Sequence, residues 1–153
     1  MRLLYIADGR SPIAINWISY FIQTGHEIHL VSTFPCQPIA GLASFLGVPV
    51  AMSEIYGQSD VRSGDRGRLF RQIVPVSLRT RFRQLIAPLS FPSAANTLGE
   101  VIEKIQPDLI HAMRIPFEGM VASLAMKHSN GVGRKIKKPP LLISIWGNDF
   151  TLH

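Results

Sequence analysis

The opening of the chain leaves few folds available to it. Leu3 to Ala7 is a short apolar run of strand character, and Asp8-Gly9-Arg10 turns it. Ser11-Pro12 then reads as a helix start: an N-cap hydroxyl followed by proline at the first helical position, where the missing N–H breaks no bond. Ala14, Trp17, Ile18, Phe21 and Ile22 recur at the spacing of one helix face. Gly25 stops the helix, and Glu27 to Ser32 resumes a strand. Strand, helix and strand in about thirty residues form a βαβ unit, which is expected to be parallel with a right-handed crossover.

The rest of the chain repeats the alternation less cleanly. Residues 34 to 60 carry Pro35, Pro38, Gly41, Gly47 and Pro49, and read as loop with one short strand near Val48 to Met52. Residues 61 to 90 form a basic insertion in which Leu78, Phe82, Leu85, Ile86 and Leu89 make a helical stripe. Pro88 is expected to end or kink that helix. A further helix runs from about Ser93 to Gln106, closed by Pro107. Leu109 to Ala112 is a buried strand. Pro116 to about His128 is a helix ended by Asn130-Gly131, and the basic loop Gly133 to Pro140 leads to a last strand, Leu141 to Ile145. Strands alternating with helices predict one domain over 1–153: an α/β, Rossmann-like, doubly wound parallel sheet with helices on both faces.

Composition narrows the functional classes. The chain has 153 residues, about one domain, with 46% hydrophobic and 17% charged residues, which argues against disorder. No apolar run approaches the ~20 residues of a membrane span, and the apolar start at Leu3 is too short for a signal peptide. Cytoplasm is the expected compartment. Cys36 has no partner cysteine for an internal disulfide and makes no zinc site by itself, and His26, His29 and His128 lie at no metal-ligand spacing. The net charge of +6 is uneven: seven arginines lie between Arg62 and Arg83, and four Lys or Arg between Arg134 and Lys138. Such patches suit an anionic partner or are solvated surface.

Four places could carry chemistry. The turn Asp8-Gly9-Arg10-Ser11 offers backbone N–H groups and a positive helix end to an anion, or Ser11 caps and Gly9 turns, or both. With one glycine it is not a dinucleotide fingerprint. His111 lies near the carboxyl end of a buried strand, where it could hydrogen-bond a sugar hydroxyl or be a satisfied core histidine. Arg114 and Glu118 follow it. Trp146-Gly147-Asn148-Asp149 ends another strand: Gly147 permits close approach, Asp149 can accept from hydroxyls or act as a base, and Trp146 offers a flat face to a sugar or packs in the core. Finally, Arg62 to Leu89 could lie on an anionic membrane, or pack its apolar face on the sheet. Few aromatics accompany its arginines, so no nucleic acid is expected.

Three blocks together resemble the N-terminal half of family 4 glycosyltransferases of the GT-B fold. They are Met1-Arg2-Leu3-Leu4-Tyr5-Ile6-Ala7-Asp8-Gly9-Arg10-Ser11-Pro12, continuing through Asn16-Trp17 and Gly25-His26-Glu27-Ile28-His29-Leu30; Gln106-Pro107-Asp108-Leu109-Ile110-His111-Ala112; and Ser144-Ile145-Trp146-Gly147-Asn148-Asp149. The resemblance implies sugar transfer from a nucleotide-sugar donor to a glycan or lipid-linked acceptor with retention, generally without a metal and with no cofactor beyond the donor. It implies that His111 and Asp149 are catalytic, that His111 faces the donor sugar and Asp149 sits in an acceptor-side loop. It also implies that Asp8, Gly9, Arg10, Ser11, Arg114, Glu118, Trp146, Gly147 and Asn148 bind substrate. Met113 stands where the family often has a second histidine, and Ile13 to Ile15 where relatives often carry polar or basic residues.

By that resemblance, a donor-binding C-terminal domain with a paired-Glu motif is expected in the full-length parent, beyond residues 1–153. The fragment alone is therefore expected not to turn over, and cell-envelope polysaccharide synthesis at the inner face of the membrane is the expected setting for the full-length parent. The alternative is a stand-alone, non-catalytic α/β module that binds a phosphorylated ligand or an anionic membrane surface. A nucleotide-dependent oxidoreductase is disfavoured, because the second and third glycines after the first strand are missing and no well-placed acid closes the second.

Overall fold

The computed structural model describes residues 1–50, 76–128 and 138–146, with side chains at all of these except 76–88 and 128. Its strands are β1 (Arg2–Ala7), β2 (Glu27–Ser32), β3 (Ser44–Gly47), β4 (Leu109–Ala112) and β5 (Leu141–Ile143). Its helices are α1 (Pro12–Gln23), α2 (Val76–Ile105) and α3 (Met120–His128). The five strands form one sheet in the order β3-β2-β1-β4-β5, and every pairing is parallel. This is the α/β architecture expected from the alternation of strands and helices.

β1 is central because it can be buried on both faces. Residues 3 to 7 are all buried, as a strand covered on each side must be. On one face Leu4, Ile6, Val31, Ile110 and Ala112 meet Leu98 and Ile102 of α2 and Val121, Ala122 and Ala125 of α3. On the other, Leu3, Tyr5, Ala7, Ile28 and Leu30 meet Ala14 and Ile18 of α1. Each core side chain of this size contributes roughly 1.5–3 kcal/mol relative to exposure. α1 ends as its glycine predicts. Gly25 has φ +79°, and the N–H groups of Gly25 and His26 donate to the carbonyls of Ile22 and Phe21, a pairing that closes a helix through a left-handed residue.

The structure corrects several local expectations. The third strand is Ser44–Gly47; of the strand expected near Val48 to Met52, the residues to Val50 are not in the sheet and residues 51–52 lie outside the described residues. Val48 and Val50 are buried core residues, but Pro49 between them has no N–H for a ladder, and the sheet pairs the four residues before. Pro88 does not end a helix: α2 runs unbroken through Pro88 and Pro92. Each interior proline costs about 3 kcal/mol, and the burial of Ala94, Ala95, Leu98 and Ile102 against the sheet and α3 offsets it. α2 ends at Ile105, and Gln106 after it turns left-handed with φ +52°, before Pro107.

The helix after β4 begins at Met120 rather than Pro116, because Pro116 and Phe117 are not helical. β5 stops at Ile143, with Ile145 exposed beyond it. Trp17, placed by its spacing on the buried face of α1, is 46% exposed. The basic residues 61–75, the Asn130-Gly131 helix end, most of the basic loop, and Gly147, Asn148 and Asp149 lie outside the described residues.

Candidate functional site

The chain leaves β1 for β2 and β3 on one side, then returns to β4 and β5 on the other. In an open parallel sheet, ligands bind beyond the carboxyl ends of the strands where the order reverses. Here that point lies between β1 and β4. The parallel register carries Asp8–Ser11, Ser32–Cys36 and Met113–Gly119 to the same edge: Thr33 N–H donates to Ala7 O and Met113 N–H to Ile6 O.

The turn after β1 is internally satisfied. Gly9 N–H donates to Ser32 Oγ at 3.1 Å, Arg10 N–H to Asp8 Oδ1 at 3.0 Å, and Ser11 N–H to Asp8 O at 3.0 Å. Ser11 occupies the N-cap, but its hydroxyl makes no capping bond. The amides of Gly9, Arg10 and Ser11 are thus each bonded within the protein. Arg10 forms two 3.0 Å bonds to the Asp8 carboxylate through Nε and Nη2, and its guanidinium lies 3.8 Å above the Phe34 ring. Ser32 Oγ accepts from Gly9 and donates to Phe34 O at 2.6 Å, tying the turns after β1 and β2 together. Gly9 is required by this closeness, since a Cβ there would stand 2.4 Å from Cys36 Sγ and 2.9 Å from Ser32 Oγ.

The turn after β4 is different. Arg114 O accepts from Gly119 N–H at 3.0 Å, closing a loop over Ile115–Glu118. Phe117 at its apex has φ +67° and ψ −70°, the rare and strained form of γ-turn, which costs on the order of 1–3 kcal/mol. Phe91 meets its ring edge-on at 6.1 Å. A Cβ on Gly119 would come within 3.0 Å of Arg114 O and 3.2 Å of the Ile143 side chain, so the loop is packed tightly against β5.

This loop delivers Glu118, 2% exposed, into the protein. Thr33 Oγ1 donates to its Oε1 at 2.7 Å, while Oε2 is buried with no hydrogen-bond partner among the described residues. Burial pushes its ionisation up to about 7; the Thr33 bond, its own backbone amide and the charge of Arg114 oppose that, and the charge of Asp8 adds to it. A carboxyl so placed is held near neutrality between its two protonation states.

His111 lies inside the sheet layer. It is 4% exposed, beside Tyr5 and under the edge of Trp17 at 5.3 and 5.9 Å between ring centroids, with Nε2 2.6 Å from Ser144 Oγ. Burial lowers its pKa below the usual value. Trp146 packs against the same apolar cluster.

The structure therefore gathers Asp8, Gly9, Arg10, Ser11, Arg114 and Glu118 at one edge, with His111 and Trp146 packed beneath α1. Thr33, Ser32 and Phe34 were not foreseen as site residues. The signal available was two hydroxyl residues closing an apolar strand at the edge where polar groups collect. Among the described residues no three His, Cys, Asp or Glu side chains are grouped to hold a metal, and no helix is long and apolar enough to cross a membrane. The carboxylates can accept, and the guanidinium groups donate, hydrogen bonds to a polyhydroxylated ligand. No family model matches the chain, and no curated protein is significantly similar to it.

Proposed function

We propose that this chain is the acceptor-side half of a retaining glycosyltransferase of GT-B architecture, holding a glycan or lipid-linked acceptor while a donor domain holds the nucleotide sugar. One observation supports the reading above the others. The strand order reverses between β1 and β4, and the two sequence blocks that end in Asp8–Ser11 and in His111 with its following residues meet at that reversal. Hydroxyl recognition falls to Asp8 and Arg10, with the Arg114–Glu118 turn as the opposite wall. His111, hydrogen-bonded to Ser144, acts as a positioning residue under this edge, and Asp149 supplies the acceptor-side carboxylate. The arginines from Arg62 to Arg83 hold the protein at an anionic membrane surface on the cytoplasmic side, in reach of a lipid-linked acceptor.

The engaged amides of Gly9, Arg10 and Ser11 leave a phosphorylated ligand no backbone donor at those three residues. The test is an amide NMR titration of the whole chain with a panel of methyl hexopyranosides and, separately, with uridine diphosphate. Glycosides should shift the amides of residues 8–11 and 114–119, and the nucleotide should shift them less. Glycoside responses confined to the amino edge of the sheet, or stronger binding of the nucleotide at residues 8–11, would overturn the reading.

A further inference from the structure

We propose that the Arg114–Gly119 turn is a proton-controlled flap over the carboxyl edge between β1 and β4, closed while Glu118 is neutral and docked on Thr33, and released when its carboxyl ionises. The Glu118 carboxyl has few donors within reach. A carboxylate offers about four acceptor positions, and an ionised one that is buried needs several donors or an ion pair. Glu118 receives one side-chain donor, Thr33 Oγ1, and its own backbone amide, and its Oε2 has no partner among the described residues. The charged groups that act on it are Arg114 on its own turn and Asp8 on the turn after β1. Asp8 is already engaged by Arg10, so that cation is spent on the neighbouring acid. The closed turn therefore suits a neutral Glu118 and tolerates the anion poorly.

The turn is also loaded to open. Phe117 holds a left-handed, strained backbone, and the departure of Glu118 from Thr33 removes one of the contacts that hold the turn in it. The closed form is pinned at Gly119 N–H to Arg114 O, at the Phe117–Phe91 edge contact and at the packing of Gly119 on Ile143. Breaking the first of these exposes the crevice between the ends of β1 and β4. The ionisation of Glu118 near 7 sets the opening within the physiological range. The inference rests on the carboxyl edge being the binding site, yet the motion can be read with no ligand present.

The experiment follows the whole chain by NMR from pH 5 to pH 8.5, reading the Glu118 Cδ resonance and the exchange of the Gly119 amide corrected for its intrinsic pH dependence. The carboxyl should titrate near 7, and Gly119 protection should fall about tenfold or more across that midpoint. Glu118→Gln, which cannot ionise, should keep Gly119 protected throughout. Thr33→Ser, which keeps the donor, should follow the native chain if the glutamine variant does not fold. Titration of Glu118 at its ordinary value near 4.5, or Gly119 protection that does not change across the range, would overturn the flap. So would an equal loss of protection in Glu118→Gln. A flap that opens on schedule while glycosides fail to bind would leave this inference standing and remove the functional reading.

Discussion

The turns after β1 and β4 sit at the same edge of the sheet and are satisfied in different ways. In the first, Asp8 takes two bonds from Arg10 and one from the backbone, and Gly9 is locked to Ser32. In the second, a buried acid has one good side-chain donor, an unpartnered oxygen and a left-handed residue immediately before it. Fully paired polar groups specify one conformation, whereas a half-satisfied buried group leaves a second conformation close in energy. The first turn is a fixed wall, and the second is the part that protonation can move.

The largest break in this comparison should come from the fixed wall. Gly9→Val puts a branched side chain where even a Cβ would overlap Cys36 Sγ and Ser32 Oγ. Both of those atoms sit on short side chains with little room to retreat. Overpacking of this kind costs about 3 kcal/mol, read as a lower urea midpoint with an unchanged denaturant slope. A loss under about 0.5 kcal/mol, the scale of an ordinary surface change, would mean that the two turns are not locked together.

Thr33→Val sharpens the contrast by acting on the movable turn. It keeps the volume but removes the donor to Glu118 Oε1, and leaving a buried acceptor unpaired costs about 1–3 kcal/mol. The cost should depend on pH. The folded-state value of Glu118 is raised to about 7 from an ordinary 4.5, so the folded protein takes up a proton that the unfolded chain releases. The stability it contributes is complete below about 4.5 and lost as pH rises to about 7. The bond from Thr33 lowers that value in the docked turn, but it exists only while the turn is closed. Its removal should therefore cost most where Glu118 is docked and neutral, and little once the turn has opened. Urea midpoints of the two proteins at pH 5 and pH 8.5 check this, with the larger gap expected at pH 5.

The two turns also differ in how far they could be read from residues. Pro12 and Gly25 marked α1 at both ends because a proline start and left-handed closure are local effects, even though the Ser11 hydroxyl makes no capping bond. β1 and β2 followed from their apolar runs for the same reason. Asp8, Gly9, Arg10 and Ser11 could be named as one edge of a site because a strand-to-helix turn has a predictable place in such a sheet. What those residues do to one another could not be read: the use of the amides by Ser32 and Asp8 depends on how β2 ends beside β1. Glu118 was named, but on a helix. Pro116 resembled a helix start, while packing on Ile143 and the Phe91 contact held Phe117 in a conformation that local propensity opposes. Its bond to Thr33 joins residues 85 apart in sequence, which no spacing rule reaches. The unbroken run of α2 through two prolines is the same lesson in the other direction, since tertiary burial outweighed a strong local stop signal.

The smallest expected effect is at the ion pair that completes the fixed wall. Arg10 and Asp8 make good geometry, but the Arg10 side chain is 39% exposed, so solvent and salt screen the attraction. Exposed pairs of this kind contribute about 0.2–1 kcal/mol, and the guanidinium resting on Phe34 adds about 0.5–1 kcal/mol at such a site. Arg10→Ala should therefore lower stability by roughly 1 kcal/mol, and raising the ionic strength should shrink the gap from the native chain. Arg10→Lys separates the two contributions. It keeps a positive charge for Asp8 but loses the paired donors and the flat cation over the ring, so it should recover part of the loss. Asp8 also raises the ionisation of Glu118, and removing Arg10 leaves the Asp8 charge less compensated. The Glu118 midpoint should then move slightly upward in Arg10→Ala. A midpoint that stays fixed would show that the two turns share an edge without sharing their electrostatics.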